Sequence, residues 1–189
     1  MKDVYDTLLD FVDVFNELEL PYAVMGGLAV RAYSIPRSTW DVDLTIGIDR
    51  EDLSRFFEVV EARGYSVPEA YSHGWADQVA GMPLVKFKTY CASGMVDVDV
   101  FLAENDFQKS FLSRSKIMTT EVGPVSIVMP EDLILLKLIA NRPRDLIDVA
   151  DLLFIQGPLD ESYLKHWGKR LGVLAVLEDQ LAHRPNERP

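Results

Sequence analysis

The sequence contains a single cysteine, Cys91, and three histidines without metal-binding spacing. One cysteine excludes an internal disulfide and a cysteine-rich zinc site, and no His-x-x-x-His pair is present. No apolar run approaches the ~20 residues that a transmembrane helix needs. The acidic N-terminus carries no apolar segment of the signal-peptide kind. We therefore expect no membrane partner and a location in the reducing cytoplasm.

Basic residues are also scarce, since 19 Lys and Arg stand against 30 Asp and Glu, which gives a formal net charge of −11. This balance argues against field-driven binding to nucleic acid. Three stretches free of acids nevertheless carry clustered cations, at 31–37, 109–116 and 137–144. If the ligand is RNA, these stretches are expected to converge on one side of a cleft.

The 189 residues are 48% hydrophobic and 26% charged, a composition typical of a globular domain. Periodicity predicts a mixed α/β (α+β) core over residues 1–129 and a helical region over 130–189, packed together as one compact unit. In the core we predict a helix at 3–19, a strand at 22–25, a helix opening at Gly26, a strand at 40–46, a helix at 50–63 and a hairpin with strands at 84–90 and 95–102.

Two acids lie two residues apart on the predicted strand at 40–46. Side chains alternate along a strand, so Asp41 and Asp43 share one face while Val42 and Leu44 share the other. Unpaired carboxylates at this spacing repel each other, and a divalent cation such as Mg²⁺ removes that conflict. The competing interpretation is a solvated strand face with two ordinary acids.

The preceding turn favours the metal interpretation. Gly26 and Gly27 follow an apolar strand and open a helix, thirteen residues before Asp41. Glycine lets the backbone approach a phosphate closely, and the N-terminus of a helix presents free N–H groups to an anion. A plain strand-to-helix turn would explain the two glycines alone, but not their combination with the acidic strand.

A second strand repeats the acidic pattern, with Asp97 and Asp99 on one face. If this strand lies beside the first, a third carboxylate joins the site. Three carboxylates with two Mg²⁺ ions about 4 Å apart form the clamp used for in-line displacement at phosphorus. The alternative is an edge strand made acidic for solubility.

These residues resemble the nucleotidyltransferase superfamily of the polymerase β type. The R-x-T-x-D-x-D form is similar to the AbiEii/AbiGii toxins of type IV toxin–antitoxin systems and to MenT-type toxins. Two later stretches strengthen the resemblance, which spans about residues 22–153. They are Met129-Pro130-Glu131-Asp132-Leu133 with Lys137-Leu138, and Arg142-Pro143-Arg144-Asp145-Leu146-Ile147-Asp148.

The resemblance implies a nucleotidyltransferase fold with a mixed twisted sheet, an NTP donor, and Mg²⁺ or Mn²⁺. It also implies tRNA as acceptor and an antitoxin protein as partner. Carried over residue by residue, Gly26, Gly27, Arg37 and Thr39 bind the triphosphate, and Lys137 and Asp148 complete the catalytic site. Asp41, Asp43 and Asp97 bind the metal, with Asp99 as the alternative to Asp97.

Two features of the helical region remain open to both structural and functional interpretations. Lys137 lies on an apolar helical face, where a lysine either extends to water, the default expectation, or points at an anion. The resemblance favours the second interpretation, with the triphosphate as the anion. Asp145, Asp148 and Asp151 form a helical stripe that a solvated face would explain, whereas the resemblance implies that Asp148 orients Lys137 or another basic residue of the cleft.

The sequence thus predicts a nucleotidyltransferase that modifies RNA. The alternatives are transfer to a small molecule such as an aminoglycoside or a lincosamide, and a non-catalytic nucleotide-binding protein of the same fold.

Overall fold

A seven-stranded sheet runs through the computed structural model, which describes residues 3–91, 94–121 and 123–184. Its spatial order is β3-β4-β5-β2-β1-β7-β6, so β2 is central. β2 runs parallel to β5 and β1 parallel to β7, and the other neighbouring pairs are antiparallel. The strands are β1 (Tyr22–Val24), β2 (Asp41–Ile46), β3 (Asp77–Val79), β4 (Met82–Cys91), β5 (Gly94–Leu102), β6 (Lys116–Thr120) and β7 (Gly123–Ile127).

Helices flank this sheet, and the mixed α/β class predicted from periodicity is confirmed. The predicted helix at 50–63 begins with a 3₁₀ turn at Arg50–Asp52. None of the helices in the described ranges is long and apolar enough to span a bilayer. They are α1 (Val4–Glu17), α2 (Gly26–Tyr33), α3 (Leu53–Ala62), α4 (Glu69–Ser72), α5 (Asp106–Arg114), α6 (Pro130–Ala140), α7 (Pro143–Ile155), α8 (Glu161–Arg170) and α9 (Leu174–Ala182).

The two faces of the central strands differ in chemistry because side chains alternate along them. Val42, Leu44, Val98 and Val100 are fully buried on one face. An aromatic cluster adds to the core, with the rings of Phe11 and Phe87 5.4 Å apart. The opposite face carries the acids of both strands, so the hydrophobic core anchors the sheet beneath a polar surface.

β6 was not predicted from the sequence. It is an edge strand paired with β7, and Ile117 on it is exposed. Because an edge strand has solvent on most sides, its residues do not show the apolar alternation that identifies a half-buried strand.

α6 forms the core of the C-terminal region. Nine of its eleven residues are buried, so it lacks the polar face of an ordinary surface helix. α2 and α7 pack against it, as does α8. The division at residue 129 remains a prediction, and the burial of α6 favours one compact unit.

Candidate active site

The two acidic strands lie side by side, as predicted. In the parallel pairing of β2 and β5, Asp41 is opposite Asp97 and Asp43 is opposite Asp99. Alternation then places all four carboxylates on one face of the sheet. Four acids in two adjacent rows create a concentrated negative charge at the middle of the sheet.

Gly26 brings the backbone of α2 directly against this surface. Its φ of +62° lies in the left-handed region, and a Cβ atom there would lie 1.8 Å from Oδ2 of Asp43. A Cβ atom on Gly27 would lie 2.6 Å from Oγ1 of Thr39. Only glycine permits these approaches, so the N-terminus of α2 adjoins Asp43 and Thr39, as expected of a phosphate-binding turn.

The site is electrostatically strained in the absence of a cation. Burial raises the pKa of Asp43 to about 6, and the negative charges of Asp99 and Asp41 add to this, whereas Lys137 and Arg142 oppose it. Burial also raises the pKa of Asp99, against the influence of Lys86. Burial is the first cause of both shifts, and a divalent cation at these carboxylates would favour their ionised forms.

The carboxylates do not form a ready metal cluster in their present rotamers. Within residues 3–91, 94–121 and 123–184, no three Asp, Glu, His or Cys side chains are placed to hold a metal ion. Asp99 and Asp97 are instead paired with Lys86 and Lys88, at 3.4 and 3.5 Å. The expected joint coordination by Asp41, Asp43 and Asp97 is therefore absent from these side-chain positions.

The donor chemistry nevertheless fits a hard divalent cation, since four carboxylates adjoin one another on a single face. Asp99 is opposite Asp43 and has the larger effect on its pKa, ahead of Asp41. This favours Asp99 over Asp97 as the third ligand, and the assignment remains a proposal.

Lys137 does not extend to water, because its amine is buried between two carboxylates. Its Nζ lies 2.9 Å from Oδ1 of Asp145 and 2.8 Å from Oδ2 of Asp148. Both acids are 1% exposed, so the solvated-stripe interpretation is wrong for them. Arg37 donates two hydrogen bonds to Asp148, at 2.9 and 2.8 Å. Asp148 therefore holds both Lys137 and Arg37, as the orienting interpretation expected.

The pKa values of these two acids move opposite to that of Asp43. Burial raises the pKa of Asp148, but hydrogen bonds from Arg37 and Lys137 outweigh it and hold the pKa below its usual range. The pKa of Asp145 is likewise lowered, because burial is outweighed by hydrogen bonds from Arg142 and Lys137. Asp145 and Asp148, together with the cations that neutralise them, form a cluster that we call the brace.

Two cations at the site, Lys86 and Lys88, were not identified from the sequence, and Arg142 was noted only within a motif and a basic stretch. Arg142 precedes α7, and its Nε lies 2.6 Å from Oδ2 of Asp145. The two lysines were detectable from the hairpin register, because Cys91 pairs with Gly94. Counting three residues outward from that pair places Lys88 opposite Asp97, and counting five places Lys86 opposite Asp99.

Two adjoining cavities open over the acids. The outer one has a volume of about 280 Å³ and is lined by charged residues only. The inner one has a volume of about 360 Å³ and adds an apolar wall that includes Met25, Phe101 and Leu133. The cavities share Asp43, Asp99, Lys86 and Arg142. A ligand with a polar and an apolar part would fit across this junction.

The expected convergence of the three basic stretches is wrong. Arg37 and the 137–144 stretch do meet, through Asp145 and Asp148. The 109–116 stretch lies elsewhere, because α5 packs beside Gly47, beyond the end of β2 farthest from Asp41. Arg114 pairs there with Glu131 and Asp132. The 109–116 stretch lies far from the acids because β5 runs parallel to β2 and ends opposite Ile46, shortly before α5 begins.

Comparison with known proteins identifies the fold. No model of a protein family matches the chain, and no curated protein matches its sequence. An antigenic nucleotidyltransferase-like protein from Paracoccidioides brasiliensis is 16% identical, with a TM-score of 0.52 and coverage of 95% of this chain and 93% of that one. The lincosamide antibiotic adenylyltransferase LnuA, bound to lincomycin, is 15% identical, with a TM-score of 0.51 and coverage of 82% of this chain and 100% of that one.

These similarities show the fold, and they do not bear on the narrower resemblance to the AbiEii group. The predicted architecture is confirmed: this chain has the fold of the nucleotidyltransferases.

Proposed function

We propose that this chain is a metal-dependent nucleotidyltransferase, which transfers a nucleoside monophosphate from an NTP to an acceptor hydroxyl. The observation that carries the proposal is the register of β2 and β5, which aligns Asp41 with Asp97 and Asp43 with Asp99. The close approach of Gly26 to Asp43 supports it, because a phosphate at this turn would lie next to the acids.

In this function Asp41, Asp43 and Asp99 hold Mg²⁺ or Mn²⁺, with Asp97 as the alternative third ligand. A bound divalent cation would supply Lewis-acid charge to the α-phosphate and to the attacking oxygen. Gly26 and Gly27 present backbone N–H groups to the phosphates, and Thr39 borders that turn. Arg37, Lys137 and Asp148 brace the wall of the cleft.

The reaction is an in-line displacement. The acceptor oxygen forms a bond to the α-phosphorus, the bond to the bridging oxygen breaks, and pyrophosphate leaves with that electron pair. The hydroxyl proton passes to the carboxylate that is not engaged as a metal ligand, which is Asp97 in the favoured assignment. Catalysis is chiefly positioning and electrostatic stabilisation, as in other phosphoryl transfers.

A small hydroxylated acceptor that carries amino groups fits the charges better than RNA does. Four carboxylates line the outer cavity, and the chain has a formal net charge of −11. The cations that line the two cavities, Lys86, Lys88, Lys137 and Arg142, are already paired with carboxylates. Aminoglycosides and lincosamides are acceptors of the required class.

The exposed end of the β4–β5 hairpin offers a further contact for the acceptor. Tyr90 is 83% exposed and is opposite Met95. By alternation both share the face of Lys88 and Asp97. An aromatic ring at this position offers a platform for stacking the ring of an acceptor.

A tRNA acceptor, a toxin role and an antitoxin partner rest on the motif resemblance alone. The RNA acceptor also required a single basic face, and the position of the 109–116 stretch removes that support. They form the second arm of the test.

The test is transfer of label from the four α-³²P-NTPs, with Mg²⁺, to total tRNA and to a panel of aminoglycosides and lincosamides. We expect labelled small molecules with the wild type and with Asp13→Ala, an exposed carboxylate on α1. Asp41→Ala should abolish labelling. Label on tRNA would restore the RNA function, and nucleotide binding without any labelled acceptor would favour the non-catalytic alternative.

A further inference from the structure

Two lysines on β4 extend the acidic rows into a grid of six charges. Lys86 is opposite Asp99, which is opposite Asp43. In the next row Lys88 is opposite Asp97, which is opposite Asp41. Four carboxylates and two ammonium groups leave a formal charge of −2, which is the charge that one divalent cation neutralises.

These two lysines are held loosely, unlike the other cations near the site. Their Nζ atoms lie 3.4 and 3.5 Å from Asp99 and Asp97, and their side chains are 41% and 61% exposed. In contrast, Lys137 has carboxylate partners at 2.9 and 2.8 Å and is 6% exposed. A long, solvent-exposed ion pair contributes little stability and exchanges partners easily.

The lysines also occupy the right place for the phosphates of a donor. Lys86 lines both cavities, and Lys88 lines the outer one. Lys137 lines the inner cavity but is anchored to Asp145 and Asp148, so it is not free to move to a new anion.

We propose that Lys86 and Lys88 are exchangeable counter-ions of this site. Without metal they neutralise Asp99 and Asp97. When a divalent cation binds among the four carboxylates, its charge replaces that of the lysines, and the released ammonium groups bind the phosphates of the donor nucleotide. The inference rests on the proposed function and assigns the phosphate-binding role to β4 rather than to Lys137.

This exchange predicts that removing either lysine has opposite effects on the affinity for the metal and on the affinity for the nucleotide. Removing a lysine removes a competitor of the metal, so metal binding without nucleotide should tighten. The same change removes a cation that binds phosphate, so nucleotide affinity should fall. A side chain with a merely structural role would weaken both affinities or neither.

The experiment measures both affinities on the full chain with probes that do not require turnover. Mn²⁺ binding to nucleotide-free protein is followed by the electron paramagnetic resonance signal of free Mn²⁺. Binding of the α,β-methylene analogues of ATP, GTP, CTP and UTP is then measured calorimetrically in saturating Mn²⁺. The tightest analogue for the wild type is used for the variants.

For Lys86→Met we expect about fivefold tighter Mn²⁺ binding and about tenfold weaker analogue binding. Lys88→Met should change both in the same directions, and Lys86→Arg should retain wild-type values. The matched control is Lys165→Met, because Lys165 is a half-exposed lysine paired with Glu161 on α8. Thermal unfolding of each variant verifies that it is folded.

Each outcome decides the inference. Weaker or unchanged Mn²⁺ binding by folded Lys86→Met and Lys86→Gln would overturn it, as would unchanged analogue binding, and either result leaves the proposed function intact. Wild-type protein that binds neither Mn²⁺ nor any analogue would instead contradict the proposed function.

Discussion

Asp43, which we propose as a metal ligand, shows at the scale of one residue how burial of a carboxylate opposes stability. Burial, followed by the charges of Asp99 and Asp41, raises its pKa to about 6. The stabilisation from its protonated form is complete below the unfolded pKa of 3.8 and is lost as the pH rises through about 6. At pH 8 the ionised group therefore destabilises the metal-free fold.

We expect Asp43→Asn to raise the free energy of unfolding of the metal-free protein by about 1–3 kcal/mol at pH 8. The same change should lower the nucleotidyl transfer rate by about 10³-fold. Urea unfolding in EDTA and the labelling assay measure the two effects. Asp13→Asn should change neither, and a less stable Asp43→Asn protein would contradict the electrostatic account.

Two glycines allow the cost of backbone strain to be distinguished from the cost of a steric collision when a Cβ atom is added. Gly26 and Gly64 both have positive φ, at +62° and +87°, but no atom lies within 4 Å of a Cβ built on Gly64. Gly64→Ala should cost about 1 kcal/mol of unfolding free energy through backbone strain alone. Gly26→Ala should cost about 1–3 kcal/mol more, because the new methyl group collides with Asp43.

Activity distinguishes the two glycines further. Gly26→Ala should abolish label transfer even at temperatures where the protein remains folded, and Gly64→Ala should retain it. Equal losses of stability and activity in the two variants would show that the approach of Gly26 to Asp43 has no special role.

At the scale of elements, the carboxylates of α7 join α6 to the loop that carries Arg37. Lys137→Met would remove one of the cations that neutralise Asp145 and Asp148, both of which are buried. We expect a loss of about 3 kcal/mol in the free energy of unfolding.

Lys165→Met, which breaks an exposed pair on α8, should cost less than about 1 kcal/mol. Denaturant titrations of both variants provide the comparison. A Lys137→Met protein as stable as the wild type would show that the brace does not hold α6 and α7 together.

The junction of α5, α6 and α8 should make stability depend on pH. Burial raises the pKa of Asp132 to about 6, although hydrogen bonding from Tyr163 and the charge of Arg114 oppose the shift. Its stabilising contribution is full below about pH 4 and disappears as the pH rises through 6.

Asp132→Asn lacks this titration, so its stability relative to the wild type should increase between pH 4 and pH 7, by at most about 3 kcal/mol. Unfolding curves at several pH values measure the difference. A difference that does not change with pH would mean that Asp132 titrates normally.

At the scale of the whole molecule, we expect the core and the helical region to depend on each other for stability. α6 follows residue 129 and contributes nine buried residues, among them Leu133, Ile134 and Leu135. We expect a fragment of residues 1–129 to lack a cooperative thermal transition and to aggregate. The fragment lacks α6 and α7, which pack against α2, so the apolar residues of α2 would be exposed to water. Circular dichroism and gel filtration test this, with the full chain as control, and a folded monomeric fragment would establish two independent domains.

Much of the site was predictable because strand alternation is a local property. Asp41 with Asp43, and Asp97 with Asp99, share a face in any strand of this sequence. The glycine turn and the order of the motifs then predicted the fold. The positions of Lys86 and Lys88 were predictable from the same local information, since the hairpin register alone places them opposite the acids.

The sequence by itself determined the two acidic strands, the glycine turn and the α/β order, because periodicity and turn chemistry involve neighbours along the chain. Only the tertiary structure decided which cations hold which acids. Arg37 and Asp148 are 111 positions apart, and nothing local relates them. Burial likewise depends on packing, and Asp145 and Asp148, which the sequence pattern allowed to be surface acids, are buried in the brace. The tertiary structure also places the 109–116 stretch away from the site.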